Sequence, residues 1–331
     1  MPTLYVTEPG AMVEKEYLRL LVTRDDQVIC RVPFQNVTQV VLSGRVGLTT
    51  PAMHALLMAH VPVFLVQRGG KLTGRLLPET SPNLPLRLAQ YRKCEDKTFG
   101  LEVARSIVRA KLRNQRVLAM RILRRRPMAN AAPLAVMRAA EEHSALATDL
   151  EELRGLEGTG ARAYFAVYRQ AFGPGWASAG RSRRPPRDAL NALLSLGYTM
   201  LGHAVLAAIE VVGLDPYLGY YHMQKYGRPS LALDLMEEFR SPFVDSLVMT
   251  LTNKRMLDAS DFEAGDAGGI YLRDGGLRTF LREFGDRLEG TVMLPGTGRA
   301  LSYRKVFEVQ ARRLADAVQG RVPRYEPFHA R

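Results

Sequence analysis

The chain has 331 residues, with 46 Lys and Arg against 33 Asp and Glu, a net charge of +13 and a pI near 9.9. So large a basic excess points to nucleic acid first and an anionic membrane surface second, because solubility alone seldom needs it. The only cysteines, Cys30 and Cys94, exclude a disulfide framework and a zinc pattern, so a reducing, cytoplasmic setting is expected.

The length exceeds one simple core and predicts two domains. No run is expected to approach the length of a membrane span, and the N-terminus has no signal-peptide pattern. Residues 1–77 read as a small β-rich domain. Leu4–Val6, Tyr17–Val22, Val28–Val32, Val37–Leu42, Val63–Val66 and Leu72–Leu77 are short apolar or β-branched runs between turn residues. One helix interrupts them, with Thr50 as its cap and Pro51 in its first turn. Residues 78–86 read as a linker.

Residues 87–331 read as a larger all-α domain. Apolar positions recur at helical spacing in Leu101–Arg126, Leu134–Leu153, Gly160–Phe172, Asp188–Val212, Leu231–Phe239, Pro242–Met256, Leu277–Leu288 and Tyr303–Val318. Ser241 and Pro242 predict a fresh helix start, and Gly269–Leu272 a small hairpin within a Gly/Asp-rich loop. The fold class is therefore α+β, with strands first and helices after. Exposed strand edges in the first domain favour a dimer.

Charge is clustered. Thirteen Lys or Arg and three acids lie between Arg87 and Arg126, and four arginines without an acid between Gly173 and Arg187. Arg181, Arg183 and Arg184 share a Pro/Gly-rich loop with Trp176, which suits phosphate contacts with aromatic stacking.

The segment most suggestive of chemistry is His222 followed by the short apolar helix of Asp234, Glu237 and Glu238. Spaced i, i+3 and i+4, the three acids are expected on one face, where like charges repel by a few tenths of a kcal/mol. No residue at i+4 neutralises them, so a metal ion is the natural compensation. On that reading, removing one carboxylate would raise stability in metal-free buffer. Lys225, Arg228 and Arg240 flank the segment and suit a site that holds both metal and phosphate. Glu157, between Gly155, Gly158 and Gly160, reads as a second element in a helix-to-helix loop. The same stretch matches G-x-G-x-x-A, but no strand precedes it, so a dinucleotide site is rejected.

These pieces resemble a known family. Glu157-Gly-x-Gly-Ala-Arg-x-Tyr164-Phe165, Asn191 to Tyr198, Gly219-Tyr-Tyr-His222 and Gly227-Arg-x-Ser to Glu237-Glu238-Phe-Arg240 are similar to the CRISPR-associated endonuclease that acts as spacer-acquisition integrase. Asn114-Gln115 and Asp274-Gly-Gly276…Phe280 extend the likeness over nearly the whole chain. The resemblance implies a metal site of Glu157, His222 and Glu237, with Asp234 in support, so Asp234→Ala would be milder than Glu237→Ala. Among Asp234, Glu237 and Glu238 the assignment follows position in the pattern only. It also implies Mg²⁺ or Mn²⁺, a homodimer paired through residues 1–77, and two dimers flanking a dimer of a small partner protein. The implied substrates are a DNA duplex with 3′ overhangs and CRISPR repeat DNA, joined by 3′-hydroxyl attack on a repeat phosphodiester. Two carboxylates and an imidazole suit Mg²⁺ or Mn²⁺ better than structural zinc, in agreement. The competing readings are a non-catalytic DNA-binding scaffold and a metal-dependent RNA or DNA nuclease outside CRISPR.

Overall fold

The computed structural model describes residues 3–67, 72–78, 83–126, 128–176, 180, 182, 185–265, 268–294 and 298–330. The N-terminal strands form two four-stranded sheets. In the first, β1 (Thr3–Val6), β5 (Gln39–Ser43) and β7 (Val63–Val66) run parallel, and β8 (Leu72–Leu76) closes it antiparallel. The second has the order β4 (Gln27–Pro33), β3 (Arg19–Arg24), β2 (Met12–Glu16), β6 (Gly47–Leu48). Val13, Leu20, Val40, Val63 and Leu56 meet in a core between them, the last from α1 (Thr50–Met58). Thr49 occupies the cap position of α1, not Thr50, and its side chain makes no capping bond. β2 and β6 escape sequence reading: β2 is Met-Val-Glu-Lys-Glu, and Val13 alone of its residues is buried.

The rest is mostly helical, with two hairpins among the described residues rather than one. α2 (Leu84–Glu95) starts inside the stretch expected as linker, because Asn83 accepts from Leu86 N at 3.3 Å and caps it. Asp96 caps α3 (Lys97–Arg125) in the same way, accepting from Phe99 N at 3.0 Å. α4 (Pro133–Ser144) and α5 (Leu150–Tyr168) follow, then α6 (Ala189–Val212), which Asp188 caps, and α7 (Ser230–Met236). The next break falls elsewhere than expected. From Ser230 the chain stays helical through a 3₁₀ turn, Glu237–Phe239, and a π-helical turn, Arg240–Asp245, into α8 (Ser246–Asn253). Pro242 has no N–H and sits in the wide turn instead of opening a new helix. β9 (Phe262–Ala264) and β10 (Ile270–Leu272) form the expected hairpin. After α9 (Asp274–Glu289), β11 (Thr291–Met293) pairs with β12 (Ala300–Ser302), an unexpected hairpin, and α10 (Tyr303–Val318) leads to the C-terminal segment.

α6 corrects the membrane expectation. It is long and apolar enough to cross a membrane by length and composition. Leu193, Leu201 and Ile209 show what its apolarity serves: they are fully buried in the main helical core.

Candidate active site

Four segments converge on one place. α3 brings Lys111, α5 brings Glu157, the loop before α7 brings Tyr221 and His222, and the 3₁₀ turn brings Glu237. α5 can lie close to α3 because residue 160 is glycine: a Cβ there would collide with the Leu112 side chain. The expected loop around Glu157 is therefore helix interior. Asp149 starts that helix by accepting from Glu151 N and Glu152 N at 2.8 and 2.9 Å, and packing against α3 offsets the glycines' helix cost.

Asp234 builds the loop. Its fully buried carboxylate accepts from Tyr220 N (2.6 Å), Tyr221 N (3.0 Å) and His222 N (2.8 Å). Residue 219 must be glycine for this, since a Cβ would stand 2.7 Å from Asp234 Oδ2 and 2.8 Å from the Ser230 carbonyl carbon. Asp234 Oδ1 also lies 2.7 Å from His222 Nδ1. With the proton on Nδ1 donated there, Nε2 keeps its lone pair and faces Glu237 Oε1 at 3.9 Å.

The carboxylates already have a cation. Lys111 Nζ bridges Glu157 and Glu237, at 2.7 Å from Glu237 Oε2, and Arg240 Nε reaches the same oxygen at 2.9 Å. Burial would raise the Glu237 carboxyl, but Arg240, Lys111 and His222 outweigh it and hold it at about 2. Burial likewise works against the charge on Lys111, and Glu237 and Glu157 restore it above its ordinary value. Tyr221 donates its hydroxyl to Glu157; burial, then Glu157, raise that phenol far out of the physiological range. Behind Arg240, the Tyr198 ring lies 4.5 Å from its guanidinium, and Tyr198 and Tyr164 both donate to Asp245.

Glu238 does not join the site. Residues 237 and 238 are about 100° apart around a helix, so their side chains leave on different sides. Glu238 accepts from Phe328 N (2.7 Å), Gln310 Nε2 (3.1 Å) and Tyr325, and burial pushes it up to about 7 against those bonds. Asn114 completes the clamp on the C-terminal segment, donating to the Glu238 and Phe328 carbonyls and accepting from Ala330 N. The three acids thus share neither one face nor an unbalanced charge.

Of the other basic residues singled out in the sequence, Arg240 is in the site. Lys225 is exposed and Arg228 half-buried in the loop after His222, and neither pairs with the site carboxylates. Arg181, Arg183 and Arg184 lie outside the described residues. Lys111 is the residue that sequence reading missed. Its signal is a lysine on the buried face of α3, one turn from both Ile107 and Gln115.

The family described as CRISPR associated protein Cas1 matches residues 4–286. The chain belongs to the Cas1 family. It is 38% identical over 330 residues to CRISPR-associated endonuclease Cas1 3 of Thermus thermophilus, covering 99% of this chain and 97% of that relative. Among solved structures, a casposase bound to integration product superposes with a TM-score of 0.88 at 25% identity, covering 100% of this chain and 95% of that one. A Cas6-RT-Cas1–Cas2 complex shares the fold, with a TM-score of 0.82 at 24% identity over 99% of this chain and 36% of that one.

In this Cas1 chain no three His, Cys, Asp or Glu side chains among the described residues are already gathered as a ligand set. Lys111 stands between two of the expected ligands instead. The donors nonetheless fit a hard divalent cation: two carboxylates share one cation position, and an imidazole nitrogen with its tautomer fixed faces one of them.

Proposed function

We propose that this chain is a metal-dependent DNA endonuclease and integrase that inserts DNA fragments as new spacers into a CRISPR array. The observation that carries the reading is the meeting of Glu157, His222 and Glu237 around one cation position, with Asp234 fixing the imidazole. Glu157, His222 Nε2 and Glu237 would hold Mg²⁺ or Mn²⁺. Such an ion supplies a Lewis acid for the phosphate and its leaving oxygen. The chain's own groups do the rest. Asp234 accepts from Nδ1 and so selects the imidazole tautomer whose lone pair is on Nε2. Tyr221 orients Glu157, and Arg240, stacked on Tyr198, orients Glu237. Arg240 places a further cation where phosphate charge must be neutralised, and Lys225 and Arg228 add positive charge in the neighbouring loop. A DNA 3′-hydroxyl attacks a repeat phosphodiester. One P–O bond forms as another breaks, and the proton passes to the departing 3′-oxygen. Arg181, Arg183 and Arg184 are assigned to DNA backbone.

The test is strand transfer into a supercoiled plasmid carrying a CRISPR repeat, with Mn²⁺ or Mg²⁺ and with chelator. Metal-dependent joined product is expected from the parent chain and none from His222→Ala, which should still bind DNA. Full activity of His222→Ala, or joining in chelator, would refute the reading. Cleavage of RNA in preference to branched DNA would favour the nuclease outside CRISPR.

The assembly belongs to the same proposal: a homodimer through the N-terminal sheets, with two dimers around a dimer of a small partner; a Cas1–Cas2 complex among structures of the same fold supports the presence of a partner protein. Edge strand β4 exposes Val28 and Ile29, and the β2–β3 turn exposes Tyr17 and Leu18. Light scattering at micromolar concentration should give twice the 36.9 kDa chain mass. Replacing Leu18 and Ile29 by serine should shift it toward monomer, whereas a monomeric parent chain would end the idea.

A further inference from the structure

A second basic site lies behind the catalytic turn. A cleft of about 620 Å³ opens between α3, α10 and the C-terminal segment. Arg105 and Arg109 of α3, Arg313 of α10 and Arg324 of the C-terminal segment line it, against two carboxylates, Glu102 and Glu326. None of the four guanidiniums has a carboxylate partner among the described residues, whereas Arg116 on the same helix pairs with Glu141 at 2.7 Å. Arg105 reaches only the Ala147 carbonyl, and Arg313 only Gln310 and the Glu326 carbonyl. Arg109 and Arg324 make no hydrogen bond to any described residue. In the cleft wall, His329 Nδ1 is buried without a hydrogen-bond partner among the described residues.

The cleft is separate from the active site. Arg109 precedes Lys111 by two residues, about 200° around α3, so the two side chains leave on nearly opposite sides. Tyr325 joins them structurally: it lines the cleft and donates to Glu238, next to Glu237. We infer that this cleft binds a stretch of DNA phosphate backbone distinct from the reacting strand. This rests on the reading of the chain as a DNA-acting enzyme. Arg105, Arg109 and Arg113 recur every four residues and set a row of positive charge about 12 Å long. A polyanion with regularly repeated charges matches such a row, and guanidinium forks bind phosphate oxygens two at a time.

The test uses Arg109→Gln with Arg324→Gln in the full chain, and Arg138→Gln with Arg282→Gln as a charge-matched control from exposed pairs with Glu142 and Glu283. Affinity for a long duplex is measured over a salt series, and cleavage is measured on a short branched DNA that fills only the active site. The double variant is expected to bind the long duplex about tenfold more weakly and to lower the salt slope by about 2, one for each lost phosphate contact. Cleavage of the short substrate and the melting temperature should stay as in the parent. An unchanged slope, or a loss no larger than that of the control double variant, would overturn the cleft while leaving the enzyme reading intact. So would weakened binding of poly-glutamate with duplex binding retained. A parent chain that neither binds nor cleaves DNA would instead overturn the enzyme reading, and the cleft with it.

Discussion

Glu237→Ala is expected to abolish strand transfer and to lower stability by about 3 kcal/mol, the usual scale for breaking a buried ion pair from one side. This reverses the expectation from sequence that removing a carboxylate relieves repulsion. Glu237 is 3% exposed and its neighbours are cations: Lys111 at 2.7 Å and Arg240 at 2.9 Å. Lys111 keeps Glu157, which limits the loss, but Arg240 loses its only carboxylate among the described ion pairs. The pH dependence has a definite sign. Glu237 is held at about 2, below the ordinary 4.5, so its contribution is present above 4.5 and is lost as pH falls toward 2. Thermal melts from neutral to acid pH should therefore fall more steeply for the parent than for Glu237→Gln. Parallel curves, or an alanine variant as stable as the parent, would contradict the ion-pair assignment.

The candidate ligands could be picked out in sequence because their residue types and order carry the pattern, and the structure places Glu157 and Glu237 on Lys111 with His222 beside Glu237. What was not legible concerns how charge is balanced. Local spacing placed Asp234, Glu237 and Glu238 on one face with no cation at i+4. The balancing charge on Glu237 comes from Lys111, far earlier in the chain, with Arg240 three residues on. The partner of Glu238 is the C-terminal segment, about ninety residues later. Such long-range pairings leave no periodic trace. Helix starts show the opposite case: Asn83 and Asp96 are local caps, and the expected linker at 78–86 and helix start at Leu101 passed over both. The charged β2 is a strand by virtue of its neighbours β3 and β6, as tertiary pairing overrides weak local preference.

Asp234 is where structure most changes a functional expectation. Read as a helper, its loss should be milder than that of Glu237. Its carboxylate instead holds three consecutive backbone N–H groups, from Tyr220 to His222, as well as the imidazole. Asp234→Ala would leave those donors buried without acceptors, at about 1–3 kcal/mol each before any relaxation. It should therefore destabilise the chain as much as Glu237→Ala or more, and activity alone would not reveal why. Asp234→Asn separates the two roles. The amide keeps the shape and one acceptor oxygen, but it removes the charge that holds the proton on His222 Nδ1. Mn²⁺ affinity, read by calorimetry without DNA, is expected to fall about 10- to 100-fold, the range for losing a carboxylate behind a ligand histidine. The melting temperature should drop far less than in Asp234→Ala. Parent-like Mn²⁺ binding in Asp234→Asn would mean that the imidazole needs no fixed tautomer, and that Asp234 serves only to fold the loop.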